Sequence, residues 1–243
     1  MRDHFYGVHE IDFAAEIRRL LGSKGIADCQ DLGQLHTMLS SEQMRLDIGQ
    51  INSVSQAFYD TDDRFLDLYG RFITGIAPKF GPIYFQNVPT IRFHFPHQEG
   101  FDYLPRFHND IMLGHPPPEV NIWVPITESF GTNAMLIMGL DDSLRFLDEV
   151  DFTDYVAASQ DPGASARFHA KSRPVTLAPG QFIGFDSRCL HATQNNTTDA
   201  TRISMDTRVI RVEDFDALDR KFVGSGRMKM PFAPGHYYSS IAA

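Results

Sequence analysis

The sequence predicts a mainly β protein, a double-stranded β-helix or jelly-roll core preceded by N-terminal helices that support it. Three observations lead there. Up to about residue 80, apolar residues recur at helical spacing. From Gly81 onward the chain breaks into seven to nine short β-type runs separated by turn-rich joints. The composition, 42% hydrophobic and 22% charged with 20 Phe against 1 Trp, is that of a globular chain with an aromatic-rich interior. One domain accommodates 243 residues, with 1–80 as helical support, 81–212 as the jelly-roll core and 213–243 as a tail or lid.

In chain order, Phe13, Ile17, Leu20 and Leu21 fall at i, i+4, i+7 and i+8 ahead of Gly22, which predicts an amphipathic helix over 11–22. Residues 28–48 read as short helical pieces with polar joints. A longer helix is expected over 62–77, where Phe65, Leu68, Tyr69, Phe72, Ile73 and Ile76 make one stripe behind the capping or first-turn acids Asp62 and Asp63. Strands are then expected at Ile83–Val88, Thr90–Phe95, Phe107–Leu113, Glu119–Ile126 and Ala134–Met138, with turn-rich joints at 96–100 and 114–118. After a mixed insertion at 141–170, strands resume at Arg173–Leu177, Gln181–Phe185, His191–Asn195 and Thr201–Val212. The tail from Lys221 to Ala243, with Gly224, Gly226 and His236-Tyr237-Tyr238, either closes over the mouth of the core or frays, and fraying is the expectation.

A formal charge of −9 argues against nucleic-acid binding, since a phosphate backbone calls for a basic stripe. Only Cys29 and Cys189 are present, so no disulfide framework is expected and a reduced, cytoplasmic setting is the simpler reading. The N-terminus carries Arg2, Asp3, His4 and Glu10 with no apolar h-region, and no run of 18 apolar residues occurs. Neither a signal peptide nor a membrane span is expected.

The chemistry concentrates at Arg106-Phe107-His108-Asn109-Asp110. If Phe107–Met112 is a strand, a period of two puts His108 and Asp110 on one face and Phe107, Asn109 and Ile111 on the other. Two imidazoles and a carboxylate are the facial triad of non-haem Fe(II) oxygenases, which leaves three cis positions open. A lone His-x-Asp is a weak signal among 10 His and 31 acidic residues. The run Leu177–Phe185, however, reads as a turn and strand leading toward His191, and Arg202 and Ser204 follow on one face of a later strand.

The order His108-x-Asp110, distal His191, then Arg202-x-Ser204 resembles the Fe(II)/2-oxoglutarate-dependent oxygenases. Asn121-x-Trp123-x-Pro125 followed by Gly131-Thr132-Asn133 is similar to the phytanoyl-CoA-hydroxylase-like branch. With Gly114-His115-Pro116 and Ser204–Val209 added, the pattern is closer still to the streptomycin-biosynthesis, StrG-like branch. The likeness covers about residues 83–212. It implies Fe(II) held by His108, Asp110 and His191, 2-oxoglutarate as co-substrate in a pocket lined by Asn121 and Trp123, and O2 as oxidant. Zinc uses the same donors but is usually tetrahedral, and a nearby anion-binding Arg favours iron.

Arg202 is the candidate for the far carboxylate of 2-oxoglutarate, because a guanidinium is a permanently charged fork that matches carboxylate geometry. Ser204 adds a hydroxyl donor. Arg208 is the rival: alternation puts Arg202, Ser204, Asp206 and Arg208 on one face, so that Asp206 and Arg208 either pair with each other or touch substrate. Arg92 and His94 share a face of an earlier strand and are candidate substrate contacts, although a structural role is the commoner one for such residues. Cys189 is expected to be a small buried thiol, and His115 is an outer-shell candidate.

The resemblance implies oxidation of an unactivated C–H bond coupled to conversion of 2-oxoglutarate to succinate and CO2. Halogenases of this type replace the carboxylate ligand by a small residue, so Asp110 favours hydroxylation, or a related desaturation, ring closure or epimerisation. The expected substrate is a small polar metabolite of a biosynthetic pathway, such as an amino-sugar or amino-acid-derived intermediate. Two other classes share the fold: a cupin-type metal-dependent isomerase or epimerase that needs no 2-oxoglutarate, and a non-catalytic small-molecule binding protein that needs no metal.

Overall fold

The computed structural model describes residues 2–47, 50–97, 107–149, 155–224 and 229–241. Arg106, residues 98–100 of one expected joint, and Gly226 of the tail lie outside them. The described chain opens on a strand the sequence did not announce, β1 (Arg2–Phe5), followed by α1 (Phe13–Ser23) and a 3-10 turn at Leu32–Met38. The short helices α2 (Ser41–Met44) and α3 (Ser53–Ala57) precede α4 (Asp63–Ile76). Both long helices begin where an aspartate accepts from a first-turn amide, Asp12 from Ala15 and Asp62 from Phe65, which satisfies donors that have no partner inside the helix.

Strands β2 (Ile83–Gln86), β3 (Thr90–His94), β4 (Val120–Pro125) and β5 (Leu136–Met138) follow. The insertion of 141–170 is helical where described, as α5 (Leu140–Glu149), α6 (Tyr155–Gln160) and α7 (Pro162–Lys171). The order ends with β6 (Ser172–Pro174), β7 (Gln181–Asp186), β8 (His191–Ala192), β9 (Arg202–Arg211), α8 (Val212–Asp216) and β10 (Tyr238–Ser240).

Two antiparallel sheets result. One runs β1-β7-β4-β9-β2-β10, with β3 also paired to β9, and the other runs β6-β5-β8. Alternation along the strands sorts the side chains of the larger sheet into two cores. Ile203, Met205 and Val209 of β9, Ile122 and Val124 of β4, and Ile91 and Phe93 of β3 join Phe13, Phe65 and Phe72 of the helices in one cluster. Their neighbours point the other way: Trp123, Ile183 and Phe185 meet Ile137, Val175 and Leu177 in a cluster between the two sheets. The inner face of the larger sheet is therefore where Asn121, Arg202, Ser204 and Arg208 lie.

Three expectations are corrected. Residues 107–113 are not a strand: His108 makes an isolated bridge and Asp110–Leu113 is a 3-10 turn. Asn109 caps that turn by accepting from Met112 at 3.2 Å, and Gly114 at φ 92° ends it. A side chain at Gly114 would also collide with the carbonyl of Val223. The strand expected at His191–Asn195 is two residues long, and the side chains that follow turn to bonds of their own, Gln194 to the Ala134 carbonyl at 3.3 Å and Asn196 to the Ala200 carbonyl at 2.8 Å. Where it is described, the tail does not fray, since β10 pairs with β2 (Tyr238 opposite Gln86) and Phe232, Tyr237 and Tyr238 are buried. Among the described residues no helix is long and apolar enough to cross a membrane.

Candidate metal centre

Backbone pairing sets the two histidines. The amide of His108 donates to the His191 carbonyl at 3.1 Å and that of His191 to the His108 carbonyl at 2.9 Å, which brings the ring centroids to 4.5 Å. Two residues on, the Asp110 amide donates to the Ser187 carbonyl at 3.0 Å. One ligand atom each from His108, Asp110 and His191 lies within 4.8 Å of the others.

The insertion helices hold the residue that precedes each histidine. Phe107 stacks on Phe168 of α7 at 4.9 Å and meets Phe146 of α5 edge-on at 5.6 Å. Ser159 of α6 donates to the Phe107 carbonyl at 3.0 Å, and the Leu190 amide donates to the Ser143 hydroxyl at 2.9 Å. Nothing in the 141–170 sequence had marked it as a support for the site.

Asp110 is completely buried. Its Oδ2 accepts from Arg208 Nε at 2.7 Å, while Oδ1 has no hydrogen-bond donor among the described residues and lies 3.8 Å from His191 Nε2. Burial alone would raise the pKa of this carboxyl. The charge of Arg208, then His191 and His115, together with the Arg208 hydrogen bond, outweigh it and hold the group well below the usual carboxylate range. Nδ1 of His191 lies 3.1 Å from the Cys189 carbonyl. A carbonyl only accepts, so this contact calls for a proton on Nδ1, the arrangement in which Nε2 is the nitrogen turned toward Asp110. The Cys189 thiol is buried between the sheets, and burial pushes it up to about 11.

Along β9 the inner face carries Arg202, Ser204, Asp206 and Arg208, as alternation predicts. Arg202, only 2% exposed, donates through Nε to the Asn133 carbonyl at 3.1 Å and through Nη1 to Ser204 Oγ at 2.6 Å. Its guanidinium carbon is 5.7 Å from the centroid of the Trp123 ring. On β4, Asn121 is buried with Nδ2 lacking an acceptor among the described residues.

Asp206 and Arg208 do not pair with each other. Arg208 turns to Asp110, whose buried charge needs it, and Asp206 takes Arg92 of the adjacent β3 at 2.8 Å. Arg92 is thus a half-exposed partner of Asp206. His94, opposite Arg202 in the sheet, is buried, and burial first and the Arg202 charge second keep its imidazole well below its ordinary pKa and so neutral.

His115 stands beside the site: its amide donates to the Asp110 carbonyl at 3.2 Å and its Nδ1 lies 2.7 Å from Glu119 Oε2. Glu119, Gln86 and Tyr238 border this region, and the sequence reading assigned none of them to the site. Of these, only Glu119 could have been found, from the His115-x-x-x-Glu119 spacing.

A buried carboxylate oxygen with no donor among the described residues, grouped with two imidazoles, is costly unless a cation accepts it. The donor set of two nitrogens and one oxygen fits Fe(II).

No family model matches the chain. It is 25% identical over 238 residues to the streptomycin biosynthesis protein StrG of Streptomyces griseus, covering 97% of this chain and 96% of that one. The non-haem alpha ketoglutarate dependent carbocyclase SnoK from nogalamycin biosynthesis matches with a TM-score of 0.57 at 16% identity, over 98% of this chain and 88% of that one. The chain shares the fold of that protein. The epimerase SnoN, solved with Fe3+, alpha ketoglutarate and nogalamycin RO, shares it at a TM-score of 0.52 and 15% identity, over 98% of this chain and 91% of that one. Within that fold the cluster of His108, Asp110 and His191 lies against the inner face of the larger sheet, with Arg208 as the link between them.

Proposed function

We propose that the protein is a non-haem Fe(II)- and 2-oxoglutarate-dependent oxygenase acting on a small polar metabolite of a biosynthetic pathway. The observation that carries this reading is Asp110 Oδ1, a buried carboxylate oxygen without a donor among the described residues, grouped with two imidazoles. The sequence likeness to StrG along nearly the whole chain, and the fold shared with SnoK, support it.

In this reading His108, Asp110 and His191 hold the iron. Bound there, iron with 2-oxoglutarate supplies O2 activation coupled to decarboxylation of the co-substrate to succinate and CO2. The chain supplies the rest. Arg202 binds the far carboxylate of 2-oxoglutarate, oriented by the Asn133 carbonyl and sharing the load with the Ser204 hydroxyl. Asn121 directs its amide Nδ2 at an acceptor on the co-substrate, and Trp123 walls the pocket and excludes water. The Nδ1 bond to the Cys189 carbonyl fixes the His191 tautomer that can ligate.

The test is to add Fe(II) and 2-oxoglutarate to the protein under anaerobic conditions and record the visible charge-transfer band of the chelate. The band is expected in the unaltered protein, and His108→Ala should abolish both it and iron binding. Iron binding without the band, and without stabilisation by 2-oxoglutarate, would instead indicate a metal-dependent isomerase. Absence of iron binding leaves a small-molecule binding protein.

A further inference from the structure

The residues around Asp110 close into a ring that the metal ligands alone do not explain. Arg208 Nε donates to Asp110 Oδ2 at 2.7 Å, and Arg208 Nη1 donates to Gln86 Oε1 at 3.2 Å. Gln86 lies on β2 directly opposite Tyr238 of β10, and its own carbonyl and side-chain amide are held by Tyr69 and Val88. The Tyr238 hydroxyl donates to Glu119 Oε1, Glu119 Oε2 meets His115 Nδ1 at 2.7 Å, and the His115 amide returns to the Asp110 carbonyl at 3.2 Å. Asp110, Glu119, His115 and Gln86 are all buried, and the Arg208 side chain is only 13% exposed.

A salt bridge with little access to water is expensive to build and is not by itself a source of stability. What Arg208 does uniquely is occupy Oδ2, so that Oδ1 is the carboxylate oxygen left facing the imidazoles. Because the guanidinium is itself fixed at a second point by Gln86, it cannot follow a turning carboxylate, so rotation to exchange the oxygens would break the Arg208–Asp110 contact. On the far side, Tyr238 ties the C-terminal strand to Glu119 and, through His115, to the backbone of the same aspartate.

We infer that Arg208, braced by Gln86 and by the Tyr238–Glu119–His115 chain, is a positioning residue that holds Asp110 by one oxygen and presents the other to the metal. The C-terminal strand is thereby part of the metal centre. This rests on the oxygenase reading only in that the three donors hold a divalent ion.

The test uses Co(II) as the probe, titrated into the full-length protein while its d–d absorption is followed, with thermal unfolding of each variant as a check on folding. The unaltered protein is expected to bind one Co(II). Arg208→Met should bind roughly 10- to 100-fold more weakly, the range typical of groups that orient a metal ligand, and its spectrum at saturation should differ because the carboxylate has been released. Arg208→Lys should recover part of the affinity, since it restores the charge without the fork. Tyr238→Phe removes a single hydroxyl at the far side of the ring, touches no ligand, and should weaken binding by a smaller factor while still changing the spectrum. A purely structural role would lower the unfolding temperature and leave the saturated spectrum alone. Unchanged affinity and spectrum in Arg208→Met overturn the inference while the metal site stands. If that variant does not fold, an unchanged Tyr238→Phe overturns it in the same way. Failure of the unaltered protein to bind Co(II) removes the metal reading and this inference together.

Discussion

Strand β9 carries the same residue type twice on one face, six positions apart, at Arg202 where it begins and at Arg208 toward its other end, in different surroundings. At one end Arg202 is oriented by neutral acceptors, the Asn133 carbonyl and the Ser204 hydroxyl, and lies near the Trp123 ring. At the other, Arg208 is committed to the carboxylate of Asp110, and the two groups shift each other strongly: burial first opposes the charge of Arg208, and Asp110 then holds it well above the usual guanidinium range. Alternation along a strand fixes only which way a side chain points. What it meets there decides whether it is a binding group or a brace, and that depends on chain 98 residues away in the case of Arg208.

The largest effect expected from this contrast is on stability. Arg208→Ala in metal-free protein leaves Asp110 buried and charged without its partner, which costs about 3–5 kcal/mol, measurable as a shift of the urea midpoint at constant m-value. Saturating Co(II) should return part of the loss, because the ion replaces the missing positive charge; a variant as stable as the unaltered protein would show that water already reaches Asp110. Next in size is the co-substrate effect. Arg202→Ala removes a charge-assisted fork worth about 1.5–3 kcal/mol, so 2-oxoglutarate affinity should fall roughly 10- to 100-fold with metal affinity unchanged. Calorimetric titration of metal and co-substrate separately checks it. Equal 2-oxoglutarate affinity in Arg202→Ala would erase the distinction and hand the anchoring role to Arg208.

Much of the larger sheet was legible because its strands are buried on both faces by different cores, so the inward polar residues of β9 stand out against Ile203, Met205 and Val209. The helices α1 and α4 were legible for the same reason, each having one apolar stripe and an aspartate cap. The grouping of His108, Asp110 and His191 was expected on an incorrect local premise. His108 and Asp110 converge not by strand alternation but because His108 is bridged to His191 by two backbone bonds and Asn109 turns the chain immediately afterward.

A bridge of that kind is a long-range pairing with no local periodicity to announce it. The same holds for β10, three residues long, and for the insertion helices, whose Phe146 and Phe168 read as ordinary core until Phe107 is seen between them. Short contacts between distant segments assemble the surroundings of the site, and a single sequence read in windows carries little trace of them.

Trp123 offers the finest test of the contrast between the two arginines. It is buried on β4 opposite Asp206 of β9 and Ile183 of β7, and its ring centroid lies 5.7 Å from the Arg202 guanidinium. An indole is the best π partner for a cation, and the attraction is worth about 0.5–1 kcal/mol where water has partial access, more when it is excluded. Trp123→Phe keeps an aromatic wall but weakens the quadrupole and opens a small gap, so 2-oxoglutarate affinity should fall only about 2- to 5-fold. Metal affinity should not move, because the Trp123 ring lies by the Arg202 guanidinium and is not one of the groups that hold Asp110. If Trp123→Phe instead matches Arg202→Ala in its loss of 2-oxoglutarate, the shape of the pocket wall and not the guanidinium governs co-substrate binding. If it shifts metal affinity as well, the two ends of β9 act as one unit.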